Sequence, residues 1–195
     1  EKGKTRTGTA SLLRDVIEAA EQKILAYINE KNPDLPEKEL IARQIGISAL
    51  TFNDLKNRRL MDVKFDWDSA LSFDGATGPY VQNAHVRLCS IMRKAGYSVK
   101  LSEVNFSELT DDSAYELIKL LARKGEKILS ACEMEEPSVL AQYALELSEA
   151  AHRFIHNDRV LGSAEEKSRL YLVQSAQCVM ENVLDLLGLF PIRQM

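Results

Sequence analysis

Apolar residues recur every three to four positions along most of this chain, which is the spacing of one face of an α-helix. The first such run extends from Leu12 to Ile28 and stops before a linker with two prolines, residues 32–36. Pro36 is expected to begin a second helix, because the first helical turn does not need the N–H that proline lacks. The positions predicted to face the core in these two helices are Leu12, Leu13, Val16, Ile17, Ala20, Ile24, Leu25, Ile28, Ile41, Ile45, Ala49 and Leu50.

The same spacing predicts further helices between Pro79 and Gly188. Residues that favour helix starts or stops mark their ends, and Gly125 is expected to bend or interrupt one of them. Ser163 and Glu166 have the spacing of a capping box. The predicted boundaries are Pro79 with Gly96, Thr110, Pro137, and Ser163 with Gly188. The predicted core positions are Val81, Ala84, Leu88, Ile91, Met92, Leu117, Ile118, Leu120, Leu121, Ile128, Leu129, Cys132, Val139, Leu140, Tyr143, Ala144, Leu147, Ala151, Phe154, Leu170, Val173, Ala176, Val179, Val183, Leu186 and Leu187.

The alternation typical of β-strands is confined to two short segments, residues 63–65 and 98–101. No sequence repeat or low-complexity tract interrupts the helical pattern. The sequence therefore predicts an all-α fold, a helical bundle.

Composition narrows the class of protein. With 195 residues, 45% hydrophobic and 28% charged, the chain is typical of a globular protein with one substantial core or two small ones. No apolar run approaches the ~20 residues of a membrane span. Three widely spaced cysteines favour reduced core residues over a disulfide or zinc site. Because the net charge is −4, nucleic-acid binding would require a local basic patch.

One candidate patch lies at the start of the helix that follows Pro79. Tyr80, Asn83, His85 and Arg87 fall on its successive turns, where free backbone N–H groups also favour an anion. An aromatic ring can stack a nucleobase, and arginine can bind phosphate. The structural alternative is that Tyr80 lies in the core and His85 is a hydrogen-bonded surface histidine.

The N-terminal loop is a second candidate for contact with phosphate. Lys2, Lys4 and Arg6 alternate there with glycines and threonines, which allow a backbone to approach phosphate closely. The loop lacks the spacing of a Walker motif. A solvated loop is the alternative interpretation.

Basic residues also surround the segment 157–163, and a solvated loop is again the alternative. His152 and His156 are four residues apart, a spacing that can hold a metal ion on one helix face. Arg153 occupies the position at which an HExxH motif has glutamate, so no metal site is predicted. The acidic residues 66–68 and 133–136 have no nucleophile beside them. From the residues alone, no complete active site can be assembled.

Several motifs together resemble the arginyl-tRNA synthetase family. FDWD at 65–68, LSF at 71–73 and TGPYVQNAHVR at 77–87 are similar to the family pattern FDWDxMLSFEGDTGPYLQYAHAR. KTRTG at 4–8 resembles the family's altered form of the class I KMSKS signature. LLGLFP at 186–191, with Met195, is similar to the family ending LLGLxPxxM, and AHRF at 151–154 with RV at 159–160 is similar to FYNxxRV. The resemblance extends over essentially the whole chain.

The resemblance implies two regions. Residues 1–73 would be the helical tail of a class I catalytic domain, and residues 77–195 would be the all-α, DALR-type anticodon-binding domain. In the first region, Arg6 with help from Lys4 would stabilise the pyrophosphate as ATP adenylates arginine. The remaining residues implied to bind the nucleotide are Thr5, Thr7 and Gly8.

For the second region, the resemblance implies contacts with the tRNA anticodon arm. Asn83 occupies a position at which the family commonly has tyrosine, and Ile155 and His156 replace an aromatic residue and asparagine. No metal ligand is implied. The residues implied to bind tRNA are Tyr80, Gln82, Asn83, Arg87, His156, Arg159 and Met195.

The function implied is that of a C-terminal fragment of an arginine–tRNA ligase, since no HIGH-type motif or parallel sheet is apparent. The full-length enzyme would use ATP with Mg²⁺ and join arginine to tRNA(Arg). The fragment is expected to recognise the anticodon arm, to need no cofactor and to be inactive alone. A monomer without membrane contact is expected, in the cytoplasm or alternatively in mitochondria. The alternative function is a helical protein–protein interaction module without RNA binding, which the pI of about 5.5 would suit.

Overall fold

The computed structural model describes residues 12–63 and 65–195. Within these residues the regular structure is entirely helical, which confirms the all-α prediction. Two single 3₁₀ turns, Leu101–Glu103 and Phe106–Glu108, precede the fifth helix. The α-helices of the described residues are α1 (Leu13–Lys31), α2 (Lys38–Leu55), α3 (Trp67–Leu71), α4 (Gly78–Ala95), α5 (Asp112–Ala122), α6 (Lys124–Glu133), α7 (Ser138–Asn157) and α8 (Glu166–Leu186).

The first core lies between α1, α2 and α3. Gly46 of α2 permits the two long helices to approach closely, because a Cβ there would lie 3.1 Å from the backbone nitrogen of Glu21 and 3.2 Å from the Cβ of Ala20. The buried apolar residues of this core are Ala20, Ile24, Ile28, Leu35, Ile41, Ala42, Ile45, Ala49, Leu71 and Ile192. The apolar stripes of α1 and α2 thus face each other, as their spacing predicts.

The second core is formed by α4 to α8 together with the end of α2. Tyr143 is its largest fully buried side chain, and its hydroxyl donates a hydrogen bond to the carbonyl oxygen of Leu120 at 2.9 Å. Phe52 extends from α2 into the same core. The other large, fully buried side chains of this core are Leu88, Leu117, Leu147, Phe154, Leu170, Met180 and Leu184.

The two cores meet where α2 crosses α4. A Cβ on Gly78 would lie 2.8 Å from the carbonyl oxygen of Ser48 and 3.0 Å from the Cβ of Phe52, so glycine is needed at the first residue of α4. The C-terminal segment 189–195 also joins the cores. Leu189 is buried in the second core and Ile192 in the first.

Several predicted helix boundaries are displaced. Pro36 precedes α2, which begins at Lys38 after Glu37 in a left-handed conformation (φ 53°). The residue before α5 is Asp111 instead of Thr110. Gly125 lies just inside α6, and the interruption falls at Arg123. Gly96, which ends α4 with a φ of 75°, has the expected stop conformation.

The predicted capping box at the start of α8 is wrong. Ser163 donates its hydroxyl to the carbonyl oxygen of Val160 at 3.1 Å, and the carboxylate of Glu166 accepts hydrogen bonds from the backbone N–H of Gly162 and the hydroxyl of Tyr97, both at 2.5 Å. The reciprocal pair therefore does not form, because both groups have other partners.

Five side chains predicted to be in the core are on the surface. Two of them lie at the start of α1, where Leu12 is 69% exposed and Leu13 is 71% exposed. Leu129 is 58% exposed and Leu186 is 55% exposed, and Cys132 is exposed as well. Cys178 is also exposed, so only Cys89 fits the expectation of buried cysteines among the described residues. The segments 63–65 and 98–101 form no strand in the described residues. None of the described helices is long and apolar enough to cross a membrane.

Candidate nucleic-acid interface

The start of α4 is held by the residue that precedes it. Thr77 accepts a hydrogen bond on its hydroxyl oxygen from the backbone N–H of Tyr80 at 3.1 Å and donates to the carbonyl oxygen of Ser72 at 2.6 Å. Its side chain therefore caps the helix and ties it to the end of α3. Pro79 is the second residue of the helix instead of the first. This cap fixes the residue at which α4 begins.

Tyr80, Asn83 and Arg87 lie on one side of α4, because residues three and four apart share a helix face. Tyr80 and Asn83 are half-buried and Arg87 is exposed. Ser90 and Lys94 continue the same line toward the end of the helix. We call this set of five residues the α4 stripe. It gathers one aromatic ring, two positive charges and two neutral polar groups on one surface.

His152 of α7 contacts two members of the α4 stripe. Its Nδ1 lies 2.8 Å from Nη1 of Arg87, and its ring centroid lies 5.1 Å from that of Tyr80 with 50° between the ring planes. Burial, together with the charge of Arg87, lowers the pKa of His152 to about 4. The imidazole is therefore neutral near pH 7 and can accept a hydrogen bond from Arg87.

Tyr80 is positioned at the edge of the second core. The ring packs partly against that core, and burial raises the pKa of its hydroxyl above the ordinary value. The side chain is thus neither a fully buried core residue nor freely solvated. Its remaining exposed part lies beside Arg87 and His152, where a flat ligand could stack.

A cavity of about 380 Å³ lies beside the α4 stripe, and two of the residues implied to bind tRNA line it. Asn83 and Met195 both line it, although they are far apart in the sequence. Asn32 donates a hydrogen bond from Nδ2 to the backbone oxygen of Met195 at 3.3 Å. The remaining lining residues are Tyr27, Ile28, Lys31, Phe73 and Val86. The rings of Tyr27 and Phe73 stack with centroids 4.3 Å apart.

Gln82 does not belong to this surface, which corrects the expectation of a tRNA contact there. The side chain is fully buried, and its Nε2 donates to Ser48 Oγ at 3.0 Å and to the carbonyl oxygen of Phe190 at 2.8 Å. Gln82 points away from the α4 stripe because it lies one residue before Asn83 and two after Tyr80. It joins α2, α4 and the C-terminal segment.

His85 is also buried, so it is not the surface histidine of the structural alternative. Its Nδ1 lies 2.8 Å from the carbonyl oxygen of Ile192, and burial lowers its pKa. Gln82 and His85 together hold the C-terminal segment against α4. Their structural role is to position the segment that ends at Met195.

His156 and Arg159 lie farther along the chain from His152. His156 is exposed one turn after His152, and Arg159 follows the end of α7 with its Nε donating to the carbonyl oxygen of Leu161 at 3.0 Å. Arg169 is mostly buried and ion-paired with Asp111 at 2.8 Å, so it adds little free charge here. In the part of the chain that the structure describes, no group of three or more candidate ligands could hold a metal ion.

The residues implied to bind the nucleotide, Lys4, Thr5, Arg6, Thr7 and Gly8, lie outside the described residues. Conversely, sequence reasoning missed the role of His152 as a partner of Arg87. The two residues are 65 positions apart and no local pattern connects them. The cavity was missed for the same reason, since α1, α4 and the C-terminal segment each contribute part of it.

Two family models match this chain. The model described as "tRNA synthetases class I (R), catalytic domain" matches residues 1–67, and the model described as "DALR anticodon binding domain" matches residues 81–195. The chain is 41% identical over 189 residues to arginine–tRNA ligase 1 of Bacillus cereus, a match that covers 96% of this chain and 33% of the relative. It is 38% identical over 187 residues to arginine–tRNA ligase of Alkaliphilus metalliredigens, with 95% and 33% covered.

Solved structures agree with these relatives. Thermus thermophilus arginyl-tRNA synthetase matches with a TM-score of 0.89 and 36% identity, over 100% of this chain and 34% of that one. The Plasmodium falciparum arginyl-tRNA synthetase matches with a TM-score of 0.79 and 26% identity, over 93% and 32%. The chain thus spans about a third of the length of the relatives it matches. It belongs to the DALR anticodon-binding domain family, in the form that arginyl-tRNA synthetases carry.

Proposed function

We propose that this chain contacts the anticodon arm of tRNA(Arg) as part of an arginine–tRNA ligase. The observation that carries the proposal is the α4 stripe, in which Tyr80 and Arg87 share a helix face with Asn83, and Asn83 lines a cavity together with Met195. An exposed arginine suits a phosphate of the RNA backbone, and a partly exposed aromatic ring suits an unpaired base. Loops of RNA present phosphates and unpaired bases together.

The chain's net charge of −4 supports a local contact over a general attraction to RNA. The residues that we propose to touch the RNA are Tyr80, Asn83, Arg87 and Met195, with His156 and Arg159 at the border of the surface. Gln82 is left out because its side chain is buried. Asn83 would contribute hydrogen bonds and not a stacking ring.

For the whole protein, we propose joining of arginine to tRNA(Arg) with ATP and Mg²⁺ and release of pyrophosphate. Arg6 with Lys4 would stabilise the charge of the pyrophosphate, and Thr5, Thr7 and Gly8 would complete the loop around it. Residues 1–73 would belong to the catalytic region and residues 77–195 to the anticodon-binding region. We further propose a cytoplasmic monomer. The 195-residue chain alone would not activate arginine.

Binding of tRNA tests the proposal directly. At ~150 mM salt, where non-specific binding to nucleic acid is weak, the purified chain should bind tRNA(Arg) more tightly than a non-cognate tRNA. The isolated anticodon stem-loop of tRNA(Arg) should compete for the same site. Equal affinity for both tRNAs would contradict anticodon recognition. Arginylation of tRNA by the purified chain would contradict the proposal that the 195-residue chain alone is inactive.

Arg87→Ala should weaken binding of tRNA(Arg) and reduce the slope of log affinity against log salt by roughly one contact, because one phosphate partner is lost. The matched control is Arg123→Ala, an exposed arginine at the junction of α5 and α6 that is ion-paired with Glu126 at 2.9 Å. Its affinity and salt slope should equal those of the unmodified chain. An unchanged slope in Arg87→Ala would remove Arg87 from the interface.

A further inference from the structure

We propose that His152 is a positioning residue that holds the guanidinium of Arg87 in place for the RNA. This inference rests on the proposed contact between Arg87 and tRNA. It assigns a role to a side chain on α7 that acts through a neighbour on α4. His152 itself need not touch the RNA.

The first support is the direction of the hydrogen bond. Nη1 of Arg87 and Nδ1 of His152 are 2.8 Å apart, and a guanidinium can only donate, so Nδ1 must be the acceptor. The ring proton therefore resides on Nε2. The contact with Arg87 thus fixes the tautomer of the imidazole.

The second support is the packing around the ring. The imidazole is half-buried and contacts the ring of Tyr80, with centroids 5.1 Å apart. It sits on α7 in the turn that also contributes the fully buried Phe154 to the second core. His152 is therefore held rigidly, whereas Arg87 is a long side chain on the exposed side of α4. A rigid acceptor reduces the number of orientations that Arg87 would lose on binding.

The third support is the charge of the partner. A carboxylate would also orient Arg87 but would compensate its positive charge, whereas a neutral imidazole leaves that charge available for phosphate. Within residues 12–63 and 65–195, the partner of the Arg87 guanidinium is the imidazole of His152 and not a carboxylate. Burial and the nearby guanidinium keep the pKa of His152 at about 4, so the ring stays an acceptor near pH 7.

Two variants separate positioning from packing. His152→Leu removes the acceptor at similar size, whereas His152→Asn keeps a side-chain oxygen near the place of Nδ1. His152→Leu should weaken tRNA(Arg) binding about three- to tenfold, the equivalent of one hydrogen bond, and should reduce the salt slope as Arg87→Ala does. His152→Asn should retain most of the affinity. If His152→Leu does not fold, His152→Gln, whose amide extends toward the place of Nε2, takes its place.

A double-mutant cycle completes the test. In the His152→Leu background, Arg87→Ala should reduce the affinity much less than it does in the unmodified chain. The reason is that both changes disrupt the same contact with the RNA. Three outcomes would each overturn the positioning role. The first is additive losses of affinity in the double variant, and the second is an unchanged affinity in His152→Leu. The third is an equal loss of affinity in His152→Leu and His152→Asn. If Arg87→Ala alone has no effect, the proposed RNA contact of Arg87 fails, and the positioning role fails with it. These two failures are distinguished by the Arg87→Ala single variant.

Discussion

At the scale of single residues, burial separates the three histidines of this chain. His85 is fully buried against the C-terminal segment, His152 is half-buried beside Arg87, and His156 is exposed. Burial lowers the pKa of His85 and, with the charge of Arg87, that of His152 to about 4. Both side chains therefore fold in their neutral form near pH 7.

These pKa shifts predict a loss of stability in mild acid. In the unfolded chain both histidines regain a pKa near ~6.5, so between that value and the folded pKa of His152, about 4, the unfolded state binds more protons. The free energy of unfolding should therefore decrease as the pH falls from about 7 to about 5. Urea unfolding of His152→Asn should show a smaller decrease than the unmodified chain.

The control for this comparison is His156→Asn, because His156 is exposed. Its free energy of unfolding should depend on pH as that of the unmodified chain does. Carboxylates also titrate in this range, but they are common to all three proteins, so the difference isolates the histidine. Parallel pH profiles for His152→Asn and the unmodified chain would contradict the assigned neutral state of His152.

The residue pattern predicted Tyr80, Asn83 and Arg87 as neighbours, because helical spacing alone places them on one face. His85, which the same pattern included, and Gln82, which the family resemblance implied, are buried instead. Those two side chains point toward α2 and the C-terminal segment, which cover a second side of α4. A polar residue beside an apolar stripe is usually exposed, and only the position of a neighbouring element shows that it is buried.

At the scale of elements, the crossing of α2 and α4 depends on a glycine. Gly78 lies in the first turn of α4, where any Cβ would meet the backbone of Ser48 and the side chain of Phe52. This close approach places the end of α2 against both cores. It also fixes the point from which the α4 stripe begins.

Gly78→Ala should therefore destabilise the protein by about 1–3 kcal/mol through overpacking. The matched control is Gly125→Ala in α6, where a Cβ would meet no heavy atom within 4 Å. That variant should be stabilised by roughly 0.5–1 kcal/mol, because alanine favours a helix more than glycine does. Chemical denaturation measures both changes. A neutral Gly78→Ala would contradict the tight crossing of the two helices.

At the scale of the whole molecule, α2 belongs to both cores. Ile45 and Ala49 are buried in the first and Phe52 in the second. The C-terminal segment repeats this connection through Leu189 and Ile192. Loss of either core would thus expose apolar surface in the other, which couples their stabilities.

We therefore expect the two cores to unfold in one cooperative transition. Trp67, the only tryptophan, packs against the first core and reports on it by fluorescence, whereas circular dichroism reports on all helices. The two signals should change at the same denaturant concentration. Separate midpoints would show that the connections through α2 and the C-terminal segment do not couple the cores.

By itself, the sequence determined the helical class, most helix positions and the outward line of Tyr80, Asn83 and Arg87. These follow from short-range periodicity and from residues such as Gly96 that impose a local conformation. Only the tertiary structure decided which polar side chains are buried, that His152 lies against Arg87, and that Met195 returns to the cavity beside Asn83. Those contacts join residues 65 or more positions apart, and their formation depends on how whole helices pack and not on any local pattern.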